Sequence, residues 1–250
     1  MKRKTQRKKK SNPKSKSVFS VKRMAILFVV GFGFGLLLTF LMTTENVWLS
    51  KSKYDFGIDI SHYQGKINWE ALHSSKHPVK FIFIRATMGK DGKDQQFQTN
   101  WQNAEKYGYL KGAYHYYRPN EAWEQQVQNF TSTVHLKSGD LIPVLDVEEA
   151  SIYGDAYLVE GVLNWLKAVE AFYGVRPMVY TGQDFYKTKL KNHLTDYPLW
   201  IAAYSGGNRL KGIDWKFHQF TDRIRIKGTS EKVDGNFFKE TSFVHYQIRD

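Results

Sequence analysis

The stretch Pro143-Val144-Leu145-Asp146-Val147-Glu148 carries two carboxylates at the end of an apolar run, and Asp55-Phe56-Gly57-Ile58-Asp59-Ile60-Ser61 repeats the pattern earlier in the chain. Both stretches are predicted to be buried strands. Residues two apart on a strand share a face, so Asp146 and Glu148 point the same way and the aliphatic residues beside them point the other way. Because burying ionisable groups is costly, two of them on one face of an apolar strand indicate a chemical role.

Eight apolar runs have the length and composition of strands; they occupy residues 55–60, 81–86, 110–117, 141–147, 176–181, 199–204, 216–221 and 232–238. Between the early runs, apolar residues recur every three or four positions in segments that begin at Phe97, Trp123 and Leu158. This is the period of an amphipathic helix. The second of these helices is predicted to take Asn120 as its N-cap. Alternating strands and helices predict an α/β fold, and eight strands predict closure into a barrel of the TIM type.

The connections in the last part of the domain are short. About eleven residues separate Tyr204 from Lys216, and about ten separate Thr221 from Lys232. A helical crossover between parallel strands needs about a dozen residues or more. The barrel is therefore predicted to be a modified one, regular in its first half and irregular in its second half, where some strands are antiparallel.

The chain before this domain has a different composition. Residues 1–23 hold eleven Lys or Arg and no acid, and residues 24–43 form an uncharged apolar segment that is long enough to span a membrane as a helix. The basic residues place the N-terminus in the cytoplasm. The prediction is a cytoplasmic tail (1–23), one transmembrane signal-anchor helix (24–43), a linker (44–53) and a domain outside the cell membrane (54–250). The alternative is cleavage of a signal peptide followed by secretion.

The formal net charge of +13 belongs to the tail rather than to the domain. From residue 24 onward the chain has 26 basic and 24 acidic residues, so the charge of the domain does not favour a nucleic-acid partner. Cysteine is absent, so stability must come from the core rather than from disulfides. No metal-ligand spacing and no cofactor motif is found. The domain is predicted to be a monomer that works without a metal or cofactor.

Polar residues end or follow nearly every predicted strand. In a parallel barrel the C-terminal ends of the strands meet at one rim, where the active site lies. The predicted rim carries Asp59, Arg85, Tyr114, Tyr116, Asp146, Glu148, Tyr180, Trp200, Gln219, Asp234 and Asn236. Such a convergence of acids indicates acid–base chemistry, and paired carboxylates are typical of enzymes that cleave glycosidic bonds. The aromatic residues are explained either by stacking on sugar rings or by packing alone.

From about Tyr54 onward, the chain resembles glycoside hydrolase family 25, the bacterial and phage muramidases. The resemblance rests on short motifs in a fixed order: Gly57-Ile-Asp-Ile-Ser-His-Tyr-Gln-Gly65, Phe81-Ile-Phe-Ile-Arg-Ala-Thr87, Gly112-Ala-Tyr-His-Tyr116, Leu145-Asp-Val-Glu148, Pro177-Met-Val-Tyr-Thr181, Leu199-Trp-Ile-Ala-Ala-Tyr204 and Val233-Asp-Gly-Asn236. Each motif is weak by itself, and their combination is specific. The resemblance implies a modified β/α barrel that hydrolyses the β-1,4 bond between N-acetylmuramic acid and N-acetylglucosamine in the glycan strands of peptidoglycan.

The resemblance also implies roles for the acids. Glu148 is the general acid, with Asp146 beside it, and Asp59 and Asp234 complete the acidic cluster. The residue types agree, because Glu has the higher ordinary pKa and the longer side chain, and negative charges on Asp146 and Asp59 favour a proton on Glu148. Asp146 then either stabilises the oxocarbenium-like transition state or orients the 2-acetamido group of the substrate. Retaining, inverting and substrate-assisted mechanisms are all consistent with the sequence.

Simpler interpretations stay open. Arg85 is equally well explained as the ion-pair partner of an internal acid, His115 as a core histidine, and Glu149 as a solvated residue. For the whole protein, the main alternative is a catalytically silent glycan-binding or scaffold protein on the same fold. The others are a membrane-tethered protein whose basic tail is the working part, and a hydrolase of another polysaccharide such as chitin.

Overall fold

The computed structural model describes residues 52–75, 77–204 and 210–249. The predicted basic tail, the predicted transmembrane segment and most of the predicted linker lie outside these residues. Within the described ranges, no helix combines the length and the apolar character that crossing a membrane requires. Almost all of the predicted barrel domain lies inside them.

All eight predicted strands are present, with bounds that shift by a few residues. In chain order the strands are β1 (Asp55–Ile60), β2 (Val79–Met88), β3 (Gly92–Lys93), β4 (Leu110–Tyr116), β5 (Val144–Asp146), β6 (Met178–Gly182), β7 (Leu199–Ala202), β8 (Trp215–Ile224) and β9 (Val233–Phe238). The two-residue strand β3 is additional and pairs with the end of β2. The others follow the order β1-β9-β8-β7-β6-β5-β4-β2, and β1 also pairs with β2. The sheet therefore closes on itself, which confirms the barrel.

The second half of the barrel departs from the parallel pattern at the second of its two short connections; the strands joined by the first, β7 and β8, run parallel. Neighbouring strands run parallel from β1 through β2 to β8, whereas β9 is antiparallel to both β8 and β1. The link from β8 to β9 spans residues 225–232, which is too short for a helical crossover. Because of its direction, the start of β9 lies at the rim where its neighbours end.

Helices pack around the barrel. They are α1 (Trp69–His73), α2 (Phe97–Lys106), α3 (Trp123–Thr133), α4 (Asp155–Tyr173) and the short α5 (Gln183–Phe185), which continues into a π-helical turn at Tyr186–Leu190; 3-10 turns occupy His62–Gln64 and Phe243–Tyr246. The apolar faces of the longer helices pack against outward-facing strand residues such as Ile82 and Ile84. Helix α4 ends at Gly174, whose φ of 70° lies in the left-handed region that glycine adopts at little cost.

The predicted N-cap of α3 is wrong. Ala122 occupies that position, and it provides no side-chain cap. Asn120 instead binds the loop after β5, where its Oδ1 accepts hydrogen bonds from Ser151 Oγ and from the backbone N–H of Ile152, both at 3.0 Å. A short polar side chain binds whichever donors lie closest, and here those donors belong to a neighbouring loop rather than to the helix.

The inside of the barrel changes from aromatic to polar toward the rim. On β2, Phe81 and Phe83 are fully buried in the interior and Arg85 follows them at the rim. The ring of Phe83 stacks on Trp200 with 4.5 Å between the centroids. A side chain at Gly57 would overlap the ring of Phe81, so the glycine makes room for this aromatic layer. The polar residues of the rim therefore rest on a closely packed apolar floor.

Candidate active site

The strand β9 contributes to the rim in a different way from the prediction. Asp234 and Asn236 are predicted to end a parallel strand, and this is wrong because β9 runs antiparallel. Asp234 lies near the start of β9 and pairs in register with Asp59, near the end of β1. Asn236 lies two residues deeper, opposite Gly57. The two carboxylates meet at the rim for this reason.

A cavity of about 160 Å³ opens at this rim. Ten of the eleven predicted site residues line it, together with Ile60, Ser61, Tyr63 and Gln64. Asn236 is the exception, because it is fully buried and does not line the cavity. Asn236 is therefore not placed to contact a substrate, contrary to the prediction. Its amide binds other side chains of the site instead.

Asp59 is held by two amides. Its Oδ2 accepts hydrogen bonds from Asn236 Nδ2 at 2.7 Å and from Gln219 Nε2 at 2.9 Å. Trp200 Nε1 donates to Asn236 Oδ1 at 2.8 Å, and the Tyr180 hydroxyl donates to Gln219 Oε1 at 2.8 Å. Because an indole N–H can only donate, it fixes the Asn236 amide with its NH₂ group toward Asp59. Each amide thus accepts a hydrogen bond at its oxygen and donates one to Asp59.

Asp59 and Asp234 titrate as a pair. Burial raises the pKa of Asp59, although the hydrogen bonds from Asn236 and Gln219 oppose the rise. The pKa of Asp234 is raised to about 8 by burial and by the negative charge of Asp59, to which Asp234 is also hydrogen-bonded. Since Asp59 already accepts two N–H donors, the proton that the pair shares resides on Asp234.

Asp146 is the least satisfied acid of the cavity. Its side chain is buried, and its Oδ1 has no hydrogen-bond partner among the described residues. Burial, and then the negative charges of Glu148 and Asp59, raise the pKa of Asp146 well above its ordinary value, while the positive charge of Arg85 opposes the rise. A buried oxygen without a donor costs about 1–3 kcal/mol, so it indicates a place where a ligand supplies the donor.

Glu148 stands at the mouth of the cavity. Strand β5 ends at Asp146, and Glu148, two residues later, is exposed to solvent. Partial burial of its carboxyl group against the cavity wall raises the pKa of Glu148, the Tyr180 hydroxyl opposes the rise, and the negative charges of Asp59 and Glu149 add to it. The predicted rise is present, but Asp146 is not among its causes. The influence runs the other way, because the charge of Glu148 raises the pKa of Asp146.

Two of the simpler interpretations can be checked directly. His115 is fully buried, with Nδ1 at 2.7 Å from Thr87 Oγ1 and Nε2 at 3.0 Å from Gln126 Oε1. Burial lowers the pKa of His115 to about 4, so it is a neutral core histidine, as predicted. Glu149 is exposed, but its Oε1 accepts the Tyr116 hydroxyl at 2.8 Å. It therefore fixes a side chain of the cavity wall.

Asp94 shapes this site although it is not among the predicted site residues. Arg85 is the ion-pair partner of Asp94, with 3.1 Å between Arg85 Nε and Asp94 Oδ2. Asp94 also accepts the backbone N–H of His62 at 2.9 Å. Tyr204 donates its hydroxyl to Gln219 Oε1. Asp94 follows β3, a strand too short to leave an apolar pattern, so only the repeated appearance of acids and glycines at residues 89–94 hinted at a turn there.

The arrangement combines an exposed acid with a buried acceptor. Glu148 has a raised pKa and can be reached by a ligand, and Asp146 presents an oxygen that lacks a donor. This is suited to acid-assisted cleavage of a ligand that brings an N–H or O–H group to Asp146. No group of His, Asp and Glu residues within residues 52–75, 77–204 and 210–249 is arranged to hold a metal ion.

Comparison with known proteins agrees with this geometry. Residues 58–229 match the model of the family Glycosyl hydrolases family 25. The chain is 38% identical to "Uncharacterized protein YegX" of Escherichia coli O157:H7, with 74% of this chain and 70% of that protein covered. It is 32% identical to Lysozyme M1 of Streptomyces globisporus, with 73% of this chain and 67% of that protein covered.

The fold is also similar to a solved structure, that of a family 25 glycosyl hydrolase from Bacillus anthracis. The TM-score is 0.71 and the identity 26%, with 79% of this chain and 95% of that chain covered. The family model spans well over half of the chain, and the relatives agree with it in sequence and in structure. The chain therefore belongs to glycosyl hydrolases family 25 and is a glycoside hydrolase.

Proposed function

We propose that this glycoside hydrolase is a muramidase, which cleaves the β-1,4 bond between N-acetylmuramic acid and N-acetylglucosamine in peptidoglycan. The observation that carries the proposal is the presence in one cavity of Glu148, an exposed acid with a raised pKa, and Asp146, a buried acid with an unpartnered oxygen. The name of the similar Lysozyme M1 supports the same substrate.

Glu148 acts as the general acid. Its raised pKa keeps a proton on the carboxyl group closer to neutral pH, and its exposed position lets it reach the oxygen of the scissile bond. Glu148 donates this proton to the leaving oxygen while the bond from that oxygen to C1 of the sugar breaks. In the second half of the reaction, Glu148 takes a proton from the water that adds to C1.

Asp146 receives the 2-acetamido group of the sugar. Its Oδ1 lacks a donor, and the N–H of the acetamido group would supply one. This contact turns the acetamido carbonyl oxygen toward C1, where it forms a bond as the glycosidic bond breaks; water then opens the resulting oxazolinium ion. Of the two roles that the sequence leaves open for Asp146, this one makes use of the unpartnered oxygen.

Asp59 supports these two acids from below. Its negative charge contributes to the raised pKa of Glu148 and of Asp146. The amides of Asn236 and Gln219 hold Asp59 in place, and each of these amides is held in turn by a hydrogen bond to its oxygen. The charge also favours the positive charge that develops on the sugar. The substrate-binding wall consists of Arg85, Tyr114, Tyr116, Tyr180, Trp200, Gln219 and Asp234, whose aromatic members offer faces for sugar rings.

We further propose that the enzyme is a monomer that is anchored in the cell membrane, with the domain 54–250 outside. Support comes from the sequence, because eleven basic residues at 1–23 precede an uncharged apolar segment at 24–43. The full-length protein should sediment with membranes and be released only by detergent. A soluble form whose N-terminus maps after residue 43 would instead show that a signal peptide is cleaved and the enzyme secreted.

Digestion of purified peptidoglycan by the full-length protein in detergent tests the activity, with the new reducing ends identified by mass spectrometry. The wild type should release N-acetylmuramic acid reducing ends. Glu148→Gln cannot donate a proton and should lower the rate by about 10²- to 10⁴-fold. Glu160→Gln is the matched control, because it removes an exposed carboxylate of α4 that does not line the cavity, and it should keep the activity.

The alternatives give different outcomes in the same assay. Binding of the polymer without release by the wild type would identify a silent glycan-binding protein. Release from chitin in preference to peptidoglycan would identify a hydrolase of another polysaccharide. Full activity of Glu148→Gln would leave the muramidase activity in place but remove Glu148 from the role of acid.

A further inference from the structure

Arg85 is bound by the carboxylate of Asp94 and lines the same cavity as Asp146. Its Nε donates to Asp94 Oδ2 at 3.1 Å, and the two side chains are 9% and 1% exposed. None of the ion pairs among the described residues joins Arg85 to Asp146, although both side chains line the same small cavity. The guanidinium is therefore held beside the reacting acids by a carboxylate to which the mechanism assigns no role.

The anchor of Arg85 is built from three segments of the chain. Asp94 follows β3, and its Oδ1 accepts the backbone N–H of Gln96 at 2.9 Å. Its Oδ2 accepts the backbone N–H of His62 at 2.9 Å and lies equally close to His62 Nδ1. Arg85 Nη2 contacts His62 Nδ1, and Arg85 Cζ lies 5.0 Å from the centroid of the Tyr63 ring. Asp94 thus ties the arginine of β2 to the turn that follows β1.

Asp146 is the competing partner for Arg85. Its Oδ1 is buried and unpartnered, and the positive charge of Arg85 already acts on its carboxyl group across the cavity. A buried guanidinium that loses its carboxylate is strongly disfavoured, so it would move toward an acid of the same cavity on which its charge already acts, as it does on Asp146. Guanidinium groups bind carboxylates through two parallel hydrogen bonds. Arg85 would then occupy the oxygen that the acetamido group of the substrate needs.

We propose that Asp94 is a positioning residue that holds Arg85 away from Asp146 and thereby keeps the Asp146 oxygen open to substrate. The use of the open Asp146 oxygen in substrate binding rests on the proposed muramidase activity. The competition of Asp94 and Asp146 for Arg85 does not depend on that activity. Asp94 does not line the cavity, and its effect on the reaction passes through Arg85. Removing Arg85 should therefore also remove the effect of Asp94.

Other ionisable groups surround these side chains and stay unchanged in the test. Arg85 faces His62 and Tyr63 in the turn after β1, Asp94 after β3, Tyr114 on β4 and Asp146 on β5. Asp146 also interacts electrostatically with Asp59, Tyr114, Tyr116, Glu148, Glu149 and Tyr180. Asp94→Asn also removes a negative charge, which by itself lowers the pKa of Asp146. The change from Arg85→Gln to Asp94→Asn/Arg85→Gln measures this direct effect, and the fall in Asp94→Asn should exceed it.

The first measurement is the titration of Asp146 by carbon-detected NMR in the full-length protein with labelled aspartate, with Asp146→Asn to assign the signal. In Asp94→Asn, Arg85 is free to pair with Asp146, and an opposite charge in contact lowers a carboxyl pKa by about 1–3 units. The pKa of Asp146 should therefore fall. In Arg85→Gln it should rise, because the opposing cation is gone. No substrate is present, so the result is independent of the muramidase activity.

The second measurement is the kinetics of peptidoglycan hydrolysis. Asp94→Asn should raise KM by about tenfold, because the substrate must displace Arg85 from Asp146. The double variant Asp94→Asn/Arg85→Gln should behave like Arg85→Gln alone, since no arginine is left to occupy the oxygen. A purely structural role of Asp94 predicts instead that the effects of the two substitutions add.

Asp140→Asn is the matched control. Asp140 forms a buried ion pair with Lys111, each side chain is 6% exposed, and neither lines the cavity. Its loss should lower thermal stability without moving the titration of Asp146. If Asp94→Asn does not fold, the double variant, which leaves no unpaired buried arginine, is compared with Arg85→Gln. An unchanged pKa of Asp146 in Asp94→Asn, or additive losses in the double variant, would overturn the proposal.

Discussion

The two halves of the acidic cluster differ in how completely their polar atoms are partnered. In the half formed by β1, β8 and β9, Asp59 accepts two amide hydrogen bonds, and the amides are fixed in turn by Trp200 and Tyr180. In the half formed at the end of β5, Asp146 has an oxygen without a donor, and Glu148 is exposed. The first half is complete without a ligand, and the second is not.

This difference separates support from chemistry within one cavity. A fully partnered buried acid is a rigid part of the structure. An acid with an unpartnered oxygen destabilises the folded protein and persists where it serves a function. Substitutions in the β5 half should therefore reduce activity and spare stability, whereas substitutions in the other half should reduce stability first.

Asp146→Ala should give the largest separation between activity and stability. Removing the carboxylate that faces the reacting sugar should lower kcat by about 10²- to 10³-fold. The same change removes a buried acid whose Oδ1 has no partner, so the thermal unfolding temperature should stay equal or rise. Reducing-end release and calorimetry on the same preparation measure the two effects.

Asp59→Ala is the counterpart from the other half of the cluster. It removes the same atoms, but it leaves the amide donors of Asn236 and Gln219 buried without an acceptor. An unpaired buried donor costs about 1–3 kcal/mol, so the unfolding temperature should fall clearly. Equal losses of stability in the two alanine variants would show that the contrast between the halves is wrong.

Trp200→Phe should produce a smaller effect, confined mainly to stability. The substitution removes the indole N–H that donates to Asn236 Oδ1 at 2.8 Å, and the buried carbonyl left behind costs about 1–3 kcal/mol of unfolding free energy. The Asn236 amide is then free to rotate, so Asp59 loses a fixed donor. The fall in kcat should be smaller than that of Asp146→Ala.

Trp165→Phe is the matched control for this substitution. Trp165 is fully buried, and its Nε1 has no partner among the described residues. The change removes the same atoms from the core without breaking a hydrogen bond. The excess loss of unfolding free energy in Trp200→Phe, measured with urea, reports the contribution of that bond. An excess near zero would mean that Asn236 is held in place without the indole.

The barrel could be predicted from the sequence because each strand has an apolar run of its own and because eight runs close a sheet. The direction of β9 was harder to predict than the presence of the strand. An apolar pattern records which residues face inward, and it is the same for both directions of a strand. Two short connections limited the choice. They indicated an irregular second half without naming the strand, and the strands joined by the first of them are parallel.

The members of the site were easier to predict than their roles. Residues that end a strand and face inward reach the rim whatever their partners are, and ten of the eleven predicted ones line the cavity. How deeply a side chain lies in the barrel, and which groups it binds, depend on strand register and on loops far away in the sequence. For that reason Asn236 was expected to bind substrate but supports Asp59, and Asp94 was missed although it anchors Arg85.

The pH dependence of stability tests the proton shared by Asp59 and Asp234. The folded-state pKa of Asp234 is about 8, against an ordinary value of 3.8. Between these values the folded state binds more protons than the unfolded state, so the unfolding free energy should fall as the pH rises from about 5 to about 8.

The side chain at position 234 cannot titrate in Asp234→Asn, so the unfolding free energy of this variant should decline less steeply with pH. Asp91→Asn, at an exposed position, should follow the wild type. Urea unfolding at both pH values measures the slopes. Equal slopes in the wild type and Asp234→Asn would mean that this half of the cluster holds no shared proton, and its apparent completeness would then depend on hydrogen bonds from the amides alone.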